Sequence, residues 1–259
     1  MDLSLAAPDP LLFALLVLLG GTAGFISSIA GAGGVLVLPM LLTLGLPPGL
    51  ALGTNKLQSV FGTASSAWNF FRKGQIRLPG MGPAIACALL GAALGTSAVQ
   101  RVDQQQLATL LPLLLIGVAL YLLFSPRVGD IDQQPRLGER SFALSAALGI
   151  GFYGGFFGPG MGSLFAAAFV GLRGFNLVRA TAHTKVLVLA TNVCSLALFV
   201  ATGQVAWLVG LAMALGQVLG ARLGSNLVIS RGTRLVKPLI ILATLALAGR
   251  LLWQSLASG

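Results

Sequence analysis

Ten apolar runs, most of them almost free of charged side chains, divide this chain at about residues 11–29, 34–46, 50–71, 80–99, 106–125, 141–157, 161–172, 178–201, 204–228 and 237–253. A helix crossing a bilayer needs about 20 such residues, and most runs are long enough. The second and seventh are short, and each follows a glycine-rich break, GAGG at 31–34 and GFFGPGMG at 155–162. Exposed irregular backbone is not tolerated at membrane depth unless protein or a watery cavity satisfies it. The breaks therefore read as hairpins of shortened helices packed inside the protein.

Charge supports a membrane setting. Only 8% of the 259 residues are charged and mean hydropathy is +0.92, against about 25% charged in a soluble domain. The expected fold is all-α, a single polytopic helical membrane domain over 1–259, with about 8 spanning helices, or 10 if the short segments cross fully. The net charge of +10 would suggest nucleic acid in a soluble protein. Here the basic residues lie in short linkers between apolar runs, as in cytoplasmic membrane loops, which excludes that partner. Arg72, Lys73 and Arg77 fill one linker, Arg127, Arg136 and Arg140 the next rich one, then Arg173 and Arg179, then Arg231, Arg234 and Lys237. The linkers between these are nearly bare. The alternation places the rich linkers in the cytoplasm and both termini outside. MDLSLAAPDP, at 1–10, lacks the positive start of a secretory signal, so the run from Leu11 is expected to be the first membrane helix.

The chain also repeats itself. TNKLQ (54–58) aligns with HTKVL (183–187), GQI (74–76) with GQV (203–205) and LGTSAV (94–99) with LGSNLV (223–228), all at one spacing of 129 residues. GFISSIAGAGG (24–34) aligns with GFYGGFFGPGMG (151–162) at one or two residues less. Equivalent loops carry opposite charge character, so the halves are expected to be inverted: repeat one at about 11–126, a cytoplasmic linker at 127–140, and repeat two at about 141–256. Inverted repeats meeting at broken helices are a transporter architecture with a site near the midplane.

Lys56 and Lys185 occupy equivalent places, each roughly 10 Å deep from opposite surfaces at 1.5 Å per residue. A lysine inside the membrane is expensive and points to function. The competing expectations are snorkelling to the nearer surface and a structural bond to backbone carbonyls at a break. All six acids lie at the terminus or in linkers, which disfavours a cation site. Lysines, amides and helix starts suit an anion. The candidate substrate-binding residues are Gly31, Gly33, Gly34, Asn55, Lys56 and Gln58 in the first half, and Gly158, Gly160, Gly162, His183 and Lys185 in the second. Tyr153, Ser28 and Asn192 are weaker candidates. GxxxG spacings such as Gly20–Gly24 and Gly216–Gly220 read as close helix packing. Ser163 and His183 lack an acid to orient them as a hydrolytic pair. One histidine and two separate cysteines, Cys87 and Cys194, make no metal cluster. No catalysis, cofactor or metal is expected; the expected partners are a small anionic substrate and the bilayer.

The GFISSIAGAGG break, ALGTNKLQ and GQI, with FYGGFFGPGMGS and GFNLVRATAHTKVL in the second half, resemble the sulfite exporter TauE/SafE family of permeases. The resemblance runs from about 20 to 250 and extends to bacterial inner-membrane members. It implies transport of sulfite, organosulfonates or related organic acids, with the repeated motif falling on Gly31, Gly33, Gly34, Asn55 and Lys56 and on Gly158, Gly160, His183 and Lys185. Pro159 and His183 depart from an ideal copy, so the half-sites are not expected to be equivalent. Anion export by alternating access is the leading expectation. Proton-coupled anion uptake is the second, and a channel or a non-transporting membrane protein the third.

Overall fold

The computed structural model describes residues 9–124 and 131–231. Among them are nine helices and no strand: α1 (Pro10–Ala30), α2 (Gly33–Thr43), α3 (Pro48–Arg72), α4 (Gly82–Val99), α5 (Gln104–Phe124), α6, α7 (Met161–Arg173), α8 (Leu177–Ala201) and α9 (Trp207–Arg231). Helix α6 runs from Glu139–Phe142 through a π-helical stretch, Ala143–Ala147, into Leu148–Phe156. Four helices, α1, α4, α8 and α9, are long and apolar enough to cross a membrane. The chain is a polytopic all-helical membrane protein. The tenth apolar run, at 237–253, and the basic residues Arg127, Arg234 and Lys237 lie outside the described residues.

Local chemistry explains the helix boundaries. Asp9 caps α1 by accepting the Leu11 N–H at 3.3 Å, with Pro10 in the first position, which has no N–H to satisfy. Asn176 caps α8 by accepting from the Arg179 N–H at 2.9 Å. Helix α1 stops at Gly31, whose φ of +70° closes a left-handed cap, and α6 is separated from α7 by Gly158 and Gly160, at +100° and +79°. Only glycine takes such values without strain.

At 11 and 13 residues, α2 and α7 reach about 16–20 Å, well short of a 30 Å core. Each returns to the end where its hairpin began. Helix α1 runs parallel to α9, since Gly20 meets Met213 and Gly24 meets Gln217. After the α1–α2 hairpin, α3 starts at the same end, where the Gly49 N–H donates to Gln104 at 3.1 Å. Each hairpin therefore starts and ends at one end of the bundle, as Arg173 at the end of α7 meeting Glu139 at the start of α6 also shows.

The sequence repeat is matched by repeated packing. The first helix of each half lies against the fourth helix of the other, α1 on α9 and α6 on α4. Gly91 meets Leu148 and Gly95 meets Phe152, as Gly220 meets Gly21 and Gly224 meets Phe25. A Cβ on Gly24, Gly151 or Gly224 would come within 2.6 Å of a backbone oxygen of Gln217, Ala88 or Phe25. The small residues are what let these backbones touch. Helices α3 and α8 cross antiparallel at the centre. Gly53 near the start of α3 lies on Phe199 near the end of α8, and the Arg77 N–H just beyond α3 meets His183 near the start of α8.

The ends differ in charge. Arg72, Lys73, Arg77, Arg136, Arg140, Arg173, Arg179 and Arg231 gather where α3, α7 and α9 finish and α4, α6 and α8 begin. Among the described residues the other end carries Arg101, with Asp9 and Asp103.

Candidate functional site

The two glycine breaks meet. A Cβ on Gly31 would fall 2.6 Å from the Gly162 Cα, so the turn after α1 rests directly on the start of α7. Ser163 Oγ ties this junction by donating to the Ala30 carbonyl. Helices α3 and α8 pass beside the junction. They deliver side chains at helical spacing: polar Asn55, Lys56, Ser59 and Thr63 from α3, and polar Lys185 and Asn192 with apolar Val188 from α8. With Gly34, Gly158, Gly160 and Gly162 these line one small cavity. Its volume is about 20 Å³, room for about one water. An oxyanion of several heavy atoms enters only if the halves part.

Both lysines are almost fully buried, 1% and 3% exposed. Neither snorkels. Lys185 Nζ donates to the Ser27 carbonyl at 2.6 Å, and Lys56 Nζ donates to the Gly154 carbonyl. Ser27 and Gly154 are themselves equivalent positions, each one turn before its break. Each lysine therefore holds the last turn of the other half's broken helix, where exposed carbonyls favour a cation. Gly158 makes this possible on one side. Its N–H bonds to the Tyr153 carbonyl at 3.2 Å, which leaves the Gly154 oxygen for Lys56. The bond to backbone carbonyls at a break is thus formed by both lysines, and it places both ammonium groups at the cavity.

The remaining wall mixes donors with apolar Met161 and Val188. Helices α2 and α7 begin here, and the first N–H groups of a helix have no acceptor within it. Neither start has a side-chain cap. Gln217 donates to Gln58 Oε1, and Gln58 Nε2 donates to Asn55 Oδ1 at 2.8 Å. That chain fixes the Asn55 amide with its nitrogen toward Gly34, where a Cβ would stand 3.3 Å from it. No carboxylate and no imidazole lines the cavity. Two ammonium groups, an oriented amide and two helix starts can together stabilise a small anion.

Of the residues singled out from the sequence, the structure brings nine to this cavity: Gly31, Gly34, Asn55, Lys56, Gly158, Gly160, Gly162, Lys185 and the weaker candidate Asn192. Gly33 packs on Ser27 and Ala23. Gln58 stands behind Asn55. His183 stands apart, on another face of α8. Its Nδ1 bonds the Arg179 carbonyl at 2.8 Å, and its Nε2 accepts from the Arg77 N–H at 3.3 Å. The equivalent bond in the other half runs from the Ala206 N–H to Thr54 Oγ1 at 3.0 Å. Histidine and threonine thus do one job, clipping a buried helix to the loop of the other half. Ser27, Ser59, Thr63 and Met161 were not singled out. Ser59 and Thr63 follow Lys56 by three and seven residues, so helical periodicity from the lysine would have found them.

The family profile described as "Sulfite exporter TauE/SafE" matches residues 16–251. The chain belongs to the TauE/SafE sulfite exporter family. It is 41% identical over 243 residues to a "Probable membrane transporter protein" of Haemophilus influenzae, covering 94% of this chain and 95% of that one. It is 43% identical over 252 residues to "Probable membrane transporter protein YfcA" of Escherichia coli K12, covering 97% and 94%. A Sinorhizobium relative, "Probable membrane transporter protein ORF9", is 44% identical over 241 residues, 93% and 92% of the two chains. No solved structure matches this TauE/SafE chain at a significant level.

Proposed function

We propose that this TauE/SafE protein exports a small anion, sulfite or an organosulfonate or related organic acid, by alternating access. The observation that carries this reading is the meeting of Lys56, Lys185 and the starts of α2 and α7 at one cavity with no acidic lining. In this reading the anion takes the ammonium groups from the Gly154 and Ser27 carbonyls. The α1–α2 and α6–α7 hairpins then part on one side or the other. The basic end faces the cytoplasm by the positive-inside tendency, in a bacterial inner membrane, with the start of α1 outside. Expelling one negative charge from a cell that is negative inside releases about 2.3 kcal/mol per 100 mV, so export needs no coupled ion. Uptake would need a coupling group, and the cavity wall offers neither a carboxylate nor an imidazole. The test is purified protein in liposomes loaded with sulfite or sulfoacetate under an imposed potential. Potential-driven efflux that saturates with anion concentration is expected. No flux of any small anion overturns the reading, and unitary currents replace it with a channel.

A further inference from the structure

The basic end holds a second concavity that the transport reading does not use. Two adjoining cavities, of about 290 and 280 Å³, share Arg77, Arg179 and His183. Both are more than ten times the volume of the central cavity. Arg173 joins the rim of the larger one, whose wall is apolar: Phe142, Phe169 and Phe175 with Met81 and Ala84. Carboxylates are present too. Asp132 pairs with Arg179 at 3.1 Å, and Glu139 lies 3.6 Å from Arg173. Arg77 has no carboxylate partner among the described residues, and Arg179 also lies 3.9 Å over the Phe175 ring, so its guanidinium is held in place. His183, clipped at both nitrogens, forms part of the wall.

Internal symmetry supplies an independent comparison. At the opposite end of the molecule the equivalents of Arg77, Arg173, Arg179 and His183 are Ala206, Leu44, Leu50 and Thr54. The assignment of Leu44 rests on the matched left-handed glycines Gly45 and Gly174 that follow α2 and α7. Among the described residues, where the other end has Ala206, Leu44 and Leu50, the same backbone arrangement thus carries arginines at this basic end. A general excess of basic residues at that end would not require arginines to line a cavity. Arg72, Lys73 and Arg140 share the end and line neither hollow.

We propose that this hollow is an oxyanion site distinct from the central cavity, taking a phosphate-type headgroup on Arg77 and Arg179 with an apolar body against the phenylalanines. A phosphodiester of an anionic phospholipid and free inorganic phosphate share the headgroup chemistry. The occupant bridges the α3–α4 loop of the first half to α6, α7 and α8 of the second, and so holds the halves together at the basic end.

The experiment is thermal unfolding of the purified full chain, first with added phosphatidylglycerol against phosphatidylcholine, then with inorganic phosphate against chloride at equal ionic strength. Stabilisation by phosphatidylglycerol supports the site with a lipid occupant, and stabilisation by phosphate supports it with a free anion. Arg77→Gln and Arg179→Gln should each weaken the effective affinity about tenfold, the scale of one charge-assisted hydrogen bond. Arg72→Gln and Lys73→Gln should leave it unchanged. An equal loss in both pairs, or no stabilisation of the unaltered protein by either ligand, overturns the proposal. Lys56→Met should retain the response, which separates this result from the fate of the central site. Arg77 is exposed, so its substitution leaves the fold intact.

Discussion

Replacing Lys56 or Lys185 with methionine separates a substrate-binding ammonium from a structural peg. Methionine keeps most of the stem and removes the charge. Lys56 bonds the Gly154 carbonyl, and leaving a buried acceptor unpaired costs about 1–3 kcal/mol. The Ser27 carbonyl reached by Lys185 also accepts from the Gly31 N–H at 2.8 Å and stays paired, so its cost lies at the low end. That loss is offset in part because a buried ammonium is itself expensive. The expected change in stability is therefore small, within about 2 kcal/mol. Anion binding should respond far more. A unit charge about 4 Å from an anion contributes about 4 kcal/mol at an effective dielectric of 20. With the second lysine still present, a loss of about 2–4 kcal/mol is expected, roughly thirty- to a thousandfold in affinity. Sulfite titrations by calorimetry in detergent give the affinity, and thermal unfolding of the same samples gives the stability. Because the lysines stand at equivalent positions on one cavity, the two variants should lose affinity to a similar degree. A variant that unfolds earlier yet binds sulfite with unchanged affinity, or that sustains unaltered efflux, would refute the reasoning and leave the lysines as pegs.

Three other outcomes follow from the same geometry. Gly31→Ala should abolish folding or lower stability by more than about 3 kcal/mol, because its Cβ would strike Gly162 backbone. Gly45→Ala, at a similar φ of +84° with nothing nearby, should cost only about 1–2 kcal/mol by thermal unfolding; equal costs would contradict the close packing of the two breaks. His183→Thr should retain stability and flux, as Thr54 already makes the equivalent bond, while His183→Ala should lose about 1 kcal/mol; loss of flux in the threonine variant would assign the imidazole a role in transport. Gln217→Leu should weaken sulfite binding about tenfold in a protein that still folds, because Gln58 would no longer be held to orient Asn55; unchanged titrations would show that the amide needs no such support.

Much of the architecture was legible because membrane constraints are coarse. Run length, the glycine breaks and the basic linkers follow from the cost of exposed backbone and charge in lipid, and they gave the helices, the hairpins and the charged end. The matching of Lys56 with Lys185 came from one constant spacing. The partners of these lysines were not legible. That Lys56 reaches Gly154, and Lys185 Ser27, depends on which helices lie side by side; the GxxxG spacings marked α1 and α9 as closely packed helices, but they do not say which helix pairs with which. His183 was grouped with Lys185 by nearness along the chain. Two residues along a helix turn a side chain through about 200°, so the two point to different neighbours. Gln58 shows the reverse case: it stands beside the cavity without lining it, bonded to Asn55.

The crossed arrangement gives a reason for alternating access to be built from these parts. Each hairpin is bound to the opposite half twice, by a lysine on its last turn and by close helix packing along its first helix. In the alternating-access reading proposed above, moving one hairpin without the other would break one lysine bond and keep its mate, and the two equivalent rearrangements would open the cavity toward opposite ends. If the halves were identical, the two opened forms would be equal in energy. They are not identical here. Asn55 stands where the other half has Thr184, and His183 where it has Thr54. Ser163 adds a bond to Ala30 with no counterpart at Phe157 among the described residues, and the Gln217–Gln58–Asn55 chain has apolar Ala88 and Leu187 at the equivalent places of its first two members. The closed form is thus fastened unequally on its two sides. Substituting Ser163 with Gly, which removes that unmatched bond, should shift the balance between the two opened forms. Accessibility of a cysteine placed at Thr63 or at Asn192, measured from each side of oriented vesicles, reads that balance; unchanged labelling in the Ser163→Gly background would mean that the unequal fastening lies elsewhere.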